Sequence, residues 1–222
     1  MATDVAIGRP RFWSNLATKF QWLYTAKKHR ENQCNKQGKD KETDLKDEEI
    51  VNEIYTKLIR DSIQANSEIP FDNGLRSHAA IIIREFVKEA KQSVIILCDQ
   101  MATDVYGRDD VQKSFFDAWS RHVKIRILIL KKCPQSMEFA RILDSLEGIE
   151  VKTLAGVSHA NEIQENFMVI DEKMYRYEPE KRLERSIVCT NGTERSLKLT
   201  GIFAHLWAAS RKIDFLAAPS EI

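Results

Sequence analysis

The sequence is poor in residues that punctuate or cross-link a chain: 8 glycines, 5 prolines and 4 cysteines in 222 positions. So little glycine and proline excludes a collagen-like or Gly/Pro-rich disordered protein. The cysteines, Cys34, Cys98, Cys133 and Cys189, lie far apart and form no Cys-x-x-Cys pair, which speaks against a zinc ribbon and a thioredoxin-type redox site. Three of them sit in or beside apolar runs, where a free thiol behaves as a small hydrophobe, and a reducing cytosol suits them. No run approaches the roughly 20 apolar residues of a membrane span, and the N-terminus lacks the apolar core of a signal peptide. A non-secreted, cytoplasmic protein without a transmembrane segment is expected. An excess of one charge is missing too, since 34 Lys and Arg stand against 33 Asp and Glu. The surface as a whole is therefore not built for nucleic acid, and any such site must be local. Absent as well are G-x-x-x-x-G-K-[ST], G-x-G-x-x-G and G-x-S-x-G, so phosphate-cradling loops and serine hydrolases have no motif here. The five histidines, His29, His78, His122, His159 and His205, include no His-x-x-x-His pair, so no metal or cofactor is expected.

What is present divides the chain by composition. In residues 1–30 the cations Arg9, Arg11, Lys19, Lys27, Lys28 and Arg30 face only Asp4, a local charge of +5. Trp13, Leu16, Phe20 and Leu23 fall at helical spacing, so the segment reads as a basic amphipathic helix rich in aromatics. Its apolar stripe could pack on the parent domain or a second copy, or lie on an anionic membrane surface or nucleic acid. Residues 31–44 carry no large apolar residue and read as a polar linker. The folded domain is expected over residues 45–222.

Within that domain the apolar period alternates. Ile50, Val51, Ile54, Leu58 and Ile59 recur as on a helix near 45–65, ended by Asn66, Ser67 and Pro70. A helix over 78–91 leads into the apolar run 93–98, and a second helix, capped by Asp109 and Asp110, leads into the β-branched run 123–130. A third helix from Pro134 stops at Gly148 before the strand 149–154. Strands at 166–170, 173–178 and 186–190 follow, the first two joined at Asp171-Glu172. A last helix from Thr193 to Ser210, capped by Thr193, buries Leu197, Leu199, Ile202, Phe203, Leu206 and Trp207. Strands separated by helices of this length imply crossover connections, hence an α/β fold with a mixed, mostly parallel sheet flanked by helices and a helical N-terminal extension.

Gln164-Glu165-Asn166-Phe167-Met168-Val169-Ile170-Asp171 enters a strand and ends in an Asp at a turn. In that setting, after the third crossover, the segment resembles one half of the phospholipase D superfamily, whose motif is H-x-K-x-x-x-x-D at the start of such a strand. The resemblance covers about residues 78–210. It places Gln164 at the His position, Asn166 at the Lys position and Asp171 at the Asp. The family uses its His as nucleophile or general acid and its Lys to neutralise phosphate charge. Glutamine has no titratable nitrogen and asparagine no charge, so the resemblance implies a catalytically silent site. Family members also place G-S-x-N after the motif strand, of which Val188-Cys189-Thr190-Asn191 keeps only Asn191, farther from Asp171 than the pattern expects. Active single-motif relatives pair two halves, so self-association as a dimer is expected.

Two further candidates come from position alone. Asp99, Gln100, Asp104, Tyr106 and Arg108 lie in the long polar loop after the first buried strand, and open α/β sheets bind ligands beyond the carboxyl ends of their strands. His159, on a loop beside Ser158, could serve a divergent metal-independent phosphodiesterase or nuclease together with Asn166 and Asp171. The expected ligands are therefore a phosphate-containing molecule or nucleic acid, with peripheral membrane contact through residues 9–30 as the other possibility.

Overall fold

The computed structural model describes residues 41–131, 134–154, 163, 165–180 and 185–215. Gln164, His159, Trp13 and the basic residues of the N-terminal segment lie outside them. Chain contacts set Ile50–Ile222 apart as one compact unit, and of the preceding unit the structure describes only the first turns of a helix.

That helix, α1 (Lys41–Gln64), starts four residues earlier than the hydrophobic period suggested, because Lys41, Glu42, Thr43 and Asp44 extend it without any apolar face. After it come β1 (Phe71–Asn73), α2 (Arg76–Glu89), β2 (Ser93–Cys98), the single turn α3 (Thr103–Tyr106), α4 (Asp109–Ser120) and β3 (Lys124–Ile129). The chain continues through α5 (Pro134–Asp144), β4 (Ile149–Leu154), β5 (Asn166–Ile170), β6 (Met174–Glu178), β7 (Ser186–Cys189), α6 (Thr193–Ala208) and β8 (Ser210–Lys212). The strands form one sheet in the order β1-β7-β6-β5-β2-β3-β4-β8.

The sheet is mixed, as expected, but its parallel part is confined to β2, β3 and β4. All other pairings are antiparallel, including β5 beside β2. The parallel share is smaller than expected because β5 runs opposite to β2, and β6 and β7 follow it as antiparallel neighbours. Two short strands that hydrophobic pattern could not reveal, β1 and β8, close the two edges.

Val94, Ile96, Ile125, Ile127, Met168 and Ile170 turn one sheet face toward α2, α4 and α5, where Ile82, Ile83, Phe86, Val111, Phe115 and Phe139 are buried. The other face meets α6 through Leu97, Leu128, Phe167, Val169, Leu199 and Phe203. A fully buried side chain of this kind contributes roughly 1.5–3 kcal/mol. β5, β6 and β7 are buried on both faces, and a tight turn joins the first two. Asp171 and Glu172 both have positive φ, 52° and 53°, and the Lys173 N–H donates to the Ile170 carbonyl at 3.0 Å. This is the two-residue turn that matches strand twist, and aspartate tolerates its left-handed backbone.

Several side-chain expectations are corrected. Ile50 and Ile54 on α1, and Leu197 and Ile202 on α6, are exposed; α1 instead buries Tyr55 and Ile59. Sequence spacing marks a stripe, but the partner covers only part of its width. Neither Asp109 and Asp110 nor Thr193 caps a helix: the N-cap positions are Arg108 and Gly192 and neither is side-chain capped. Asp110 lies in the first turn of α4 and accepts from Arg84 at 2.7 Å and Arg108 at 3.1 Å instead.

One polar cluster fastens α1 and α4 to α2. Glu85, nearly fully buried, accepts from Arg60 Nε and Arg84 Nε at 2.7 Å each, while Arg84 also donates to Asp110 and to the Thr56 hydroxyl. Burial alone pushes the Glu85 carboxyl up, yet the hydrogen bonds from Arg60 and Arg84 and the Arg84 and Lys88 charges hold it below the ordinary carboxylate range.

Candidate functional site

Beyond the carboxyl end of β2 the α2-facing side of the sheet opens into a cavity of about 180 Å³. Its floor comes from β5 and β6. Their register sets Asn166 opposite Glu178 and Met168 opposite Arg176, so alternation brings Asn166, Arg176 and Glu178 onto one face. Its walls come from α2, through Arg76, Ala79 and Ile83, and from the loop after β2, through Asp99, Gln100, Val105 and Tyr106.

Asn166 holds this end together. Its Oδ1 accepts the Asp99 N–H at 2.8 Å, and its Nδ2 donates to Glu178 Oε2 at 3.2 Å. The first bond ties β5 to the end of β2 and the second ties it to the end of β6. Glu178 also faces Arg176 Nη1 at 3.5 Å, with only 15% of the Arg176 and 12% of the Glu178 side chain exposed. Arg176 Nε is buried and has no hydrogen-bond partner. Tyr106, buried beside them, is kept neutral, since burial pushes its phenol well above the usual value. The cavity therefore presents a guanidinium donor, a carboxylate acceptor and a neutral phenol over an apolar base.

Asp99, Gln100 and Tyr106 thus meet the motif-equivalent Asn166 in one cavity, and Lys131 Nζ pairs with the Asp99 carboxylate at 2.9 Å. Asp104 sits at the rim, paired with Arg76 at 3.0 Å. Arg108 is held by Asp110, outside the cavity lining.

Asp171 and Asn191 lie at the opposite end of the strands. The Asp171 carboxylate accepts three backbone N–H groups, Lys91 at 2.9 Å and Gln92 and Ser93 at 2.8 Å, which ties the β5–β6 turn to the entry of β2. Asn191 Nδ2 reaches Glu68 at 3.4 Å, and Thr190 beside it bonds to the Ser62 and Ser67 carbonyls. The β7 end is a joint with the α1–β1 loop. Of the described histidines none lines the cavity: His78 stacks on Tyr55 with ring centroids 3.8 Å apart, His122 occupies a turn, and His205 lies in the last turn of α6. No group of three or more His, Cys, Asp or Glu suited to a metal occurs among the described residues. No described helix is long and apolar enough to cross a membrane.

The residues that sequence reading missed are Arg176 and Glu178. A signal existed: in Met174-Tyr175-Arg176-Tyr177-Glu178 both alternating faces are needed for a central strand, and two charges on one of them require partners.

No family model matches the sequence, and no curated sequence matches it. Solved structures do match. NucT from Helicobacter pylori superposes with a TM-score of 0.52 at 16% identity over 65% of this chain and 99% of its own. TrmBL2, an archaeal chromatin protein with a novel mode of DNA binding, gives 0.53 at 13% identity over 90% of this chain and 70% of its own. The phospholipase D family member Nuc from Salmonella typhimurium gives 0.48 at 15% identity over 65% of this chain and 99% of its own. The likeness is one of fold, an eight-stranded mixed sheet flanked by helices.

Proposed function

The chain has a phospholipase D-like fold, and we propose that it works as a catalytically silent binding or assembly module, built as a two-fold dimer. The observation that carries the reading is the use made of Asn166. At the position where the motif resemblance puts a phosphate-binding lysine stands a neutral amide whose two polar atoms are both engaged, with the Asp99 N–H and Glu178. The carboxylate next to it repels a phosphodiester, and the sequence puts Gln164, which can neither attack phosphorus nor donate an acidic proton, at the His position. Asp171 supports the same reading because its carboxylate is consumed by backbone donors.

The division into a basic segment 1–30, a polar segment 31–44 and a domain from residue 45 belongs to this proposal. So does nucleic-acid or peripheral membrane contact through the basic segment. The fold neighbour TrmBL2 is a DNA-binding protein, which favours nucleic acid among those partners.

The test is turnover of a generic phosphodiester and of labelled DNA in EDTA by the wild type and by the Gln164→His/Asn166→Lys variant. Wild-type silence is expected. Because Glu178 would neutralise a lysine placed there, activity is expected to return only when Glu178→Gln is added. Metal-independent turnover by the wild type, abolished by His159→Ala, would overturn the silent site in favour of a divergent phosphodiesterase. A monomeric mass by light scattering at micromolar concentration would overturn the dimer.

A further inference from the structure

A guanidinium that is largely buried usually gives its N–H groups to the protein, and Arg84 shows the ordinary case. With 15% of its side chain exposed, Arg84 donates to Glu85 and Asp110 at 2.7 Å each and to the Thr56 hydroxyl at 3.1 Å. Arg176 is exposed to the same 15%, yet it donates a hydrogen bond to no described residue, and its ion-pair partner Glu178 stands 3.5 Å away. Charge-assisted N–H to carboxylate bonds run about 2.7–2.9 Å, so this pair is not closed. Nε is sealed from solvent without a partner, which leaves Nη1 and Nη2 as the donors that a ligand can reach.

Two more groups around the same cavity are unengaged. Glu178 Oε2 accepts from Asn166 Nδ2, whereas Oε1 accepts from no described residue. The Tyr106 hydroxyl bonds to no described residue either, while its ring packs on Phe115 with centroids 6.4 Å apart. Burial keeps that phenol protonated, and the charges of Arg176 and Glu178 both reach it. All three side chains line the cavity beyond β2, with Ala79, Ile83 and Val105 as apolar neighbours.

The charges here already cancel. Arg176 faces Glu178, Arg76 is paired with Asp104 at 3.0 Å, and Asp99 with Lys131 at 2.9 Å. An anion would meet Glu178 and a cation Arg176, each where little water remains to screen it, so the fitting ligand is uncharged. Its size follows from the volume of about 180 Å³, somewhat above the roughly 150 Å³ void that admits benzene. We propose that the cavity binds an uncharged six-membered heterocycle whose edge carries one N–H and two carbonyls, as a uracil-type base does. Arg176 and Tyr106 donate to the carbonyls, and Glu178 Oε1 accepts the N–H. This rests on the reading of the cavity as catalytically silent, and gives that binding module its ligand class.

The test titrates the full chain with 1-methyluracil, whose edge is intact, and with its isomer 3-methyluracil, in which a methyl group replaces the N–H. Saturation-transfer NMR at about 1 mM probe suits the weak affinity of so small a ligand. The intact isomer is expected to bind at least about 10-fold more tightly, because the other sets a methyl group against Glu178. Tyr106→Phe removes a hydroxyl that holds nothing in the described protein, and is expected to weaken 1-methyluracil roughly 3- to 10-fold with an unchanged melting temperature. Arg176→Met/Glu178→Gln, made together so that no charge is stranded, is expected to bring binding below detection. Should that double variant unfold, the isomer pair and Tyr106→Phe decide alone. Either source of the ring supports the proposal: a thymidine oligonucleotide that displaces 1-methyluracil at a lower concentration of bases assigns it to a strand, and displacement no better than by the single base assigns it to a free base or nucleoside. Equal binding of the two isomers would overturn the inference. So would inorganic phosphate or zwitterionic alanine binding in place of 1-methyluracil, or no binding at all, which would leave the cavity to water. Phosphodiester turnover by the same wild-type sample would instead overturn the silent site, so the two failures are told apart.

Discussion

Replacing Asp171 separates a structural from a catalytic use of the motif-equivalent carboxylate. In the folded chain it accepts three backbone N–H groups and sits at φ 52°. A hydrogen bond to a charged group is worth about 1.5–3 kcal/mol. The Lys91 and Gln92 donors are near solvent, and water can replace the carboxylate there, whereas the bond to Ser93 is partly buried. Asp171→Ala should therefore lose about 2 kcal/mol of hydrogen bonding and, because alanine resists the left-handed backbone, about 1 kcal/mol more. Near 3 kcal/mol in a domain of this size lowers the melting temperature by roughly 6–12 °C. Asp171→Gly recovers the backbone part, and Asp171→Asn keeps both the backbone preference and one acceptor, costing about 1 kcal/mol. The expected stability order is wild type, Asn, Gly, Ala, read by thermal unfolding followed by circular dichroism. An alanine variant that melts within about 1 °C of wild type would refute the anchoring role. So would an asparagine variant as damaged as the alanine one.

Acidification should act through the Glu85 cluster. Both Glu85 and Asp110 feel burial first, which raises them, but their arginine bonds win and hold both below ordinary carboxylate values. A carboxyl depressed in the folded state adds stability above its unfolded pKa, and that stability is lost as pH falls through the folded value. Urea unfolding of Glu85→Gln should thus show a deficit of about 2 kcal/mol at neutral pH, less than a fully buried pair because Arg60 is half-exposed and Arg84 keeps Asp110. The deficit should shrink below about pH 4, and a constant deficit would argue against the ion pairs as its source. Gly192→Ala places a Cβ 2.4 Å from Tyr175 Cε1 and 3.1 Å from Cys189 Sγ, so overpacking should cost about 1–3 kcal/mol, and an unchanged melting temperature would show that the α6 start can shift. Asn166→Ala leaves the Asp99 N–H and Glu178 without their shared partner, and a loss near 2 kcal/mol is expected in the same urea assay, absent if β5 is not fastened there.

How far this molecule was legible depended on whether each residue's role was local. The order of the longer elements, the two-residue turn at Asp171 and the mixed α/β class follow from spacing and turn chemistry, which act over a few residues. Pairing direction does not: β5 lies antiparallel beside β2, and nothing in Asn166-Phe167-Met168-Val169-Ile170 records that. The site was legible in the same proportion. Asn166 could be located by motif spacing, and its failure as a lysine could be argued from its amide, but its actual work required the register. Only once β6 lies antiparallel to β5 does Glu178 come opposite Asn166 and Arg176 opposite Met168. The two charges of β6 are then explained together: on a strand buried on both faces each would be prohibitive alone, and each is tolerable because it meets the other at the open end of the sheet. A working phosphodiesterase would need that end to accept negative charge, whereas here a carboxylate is stationed in it.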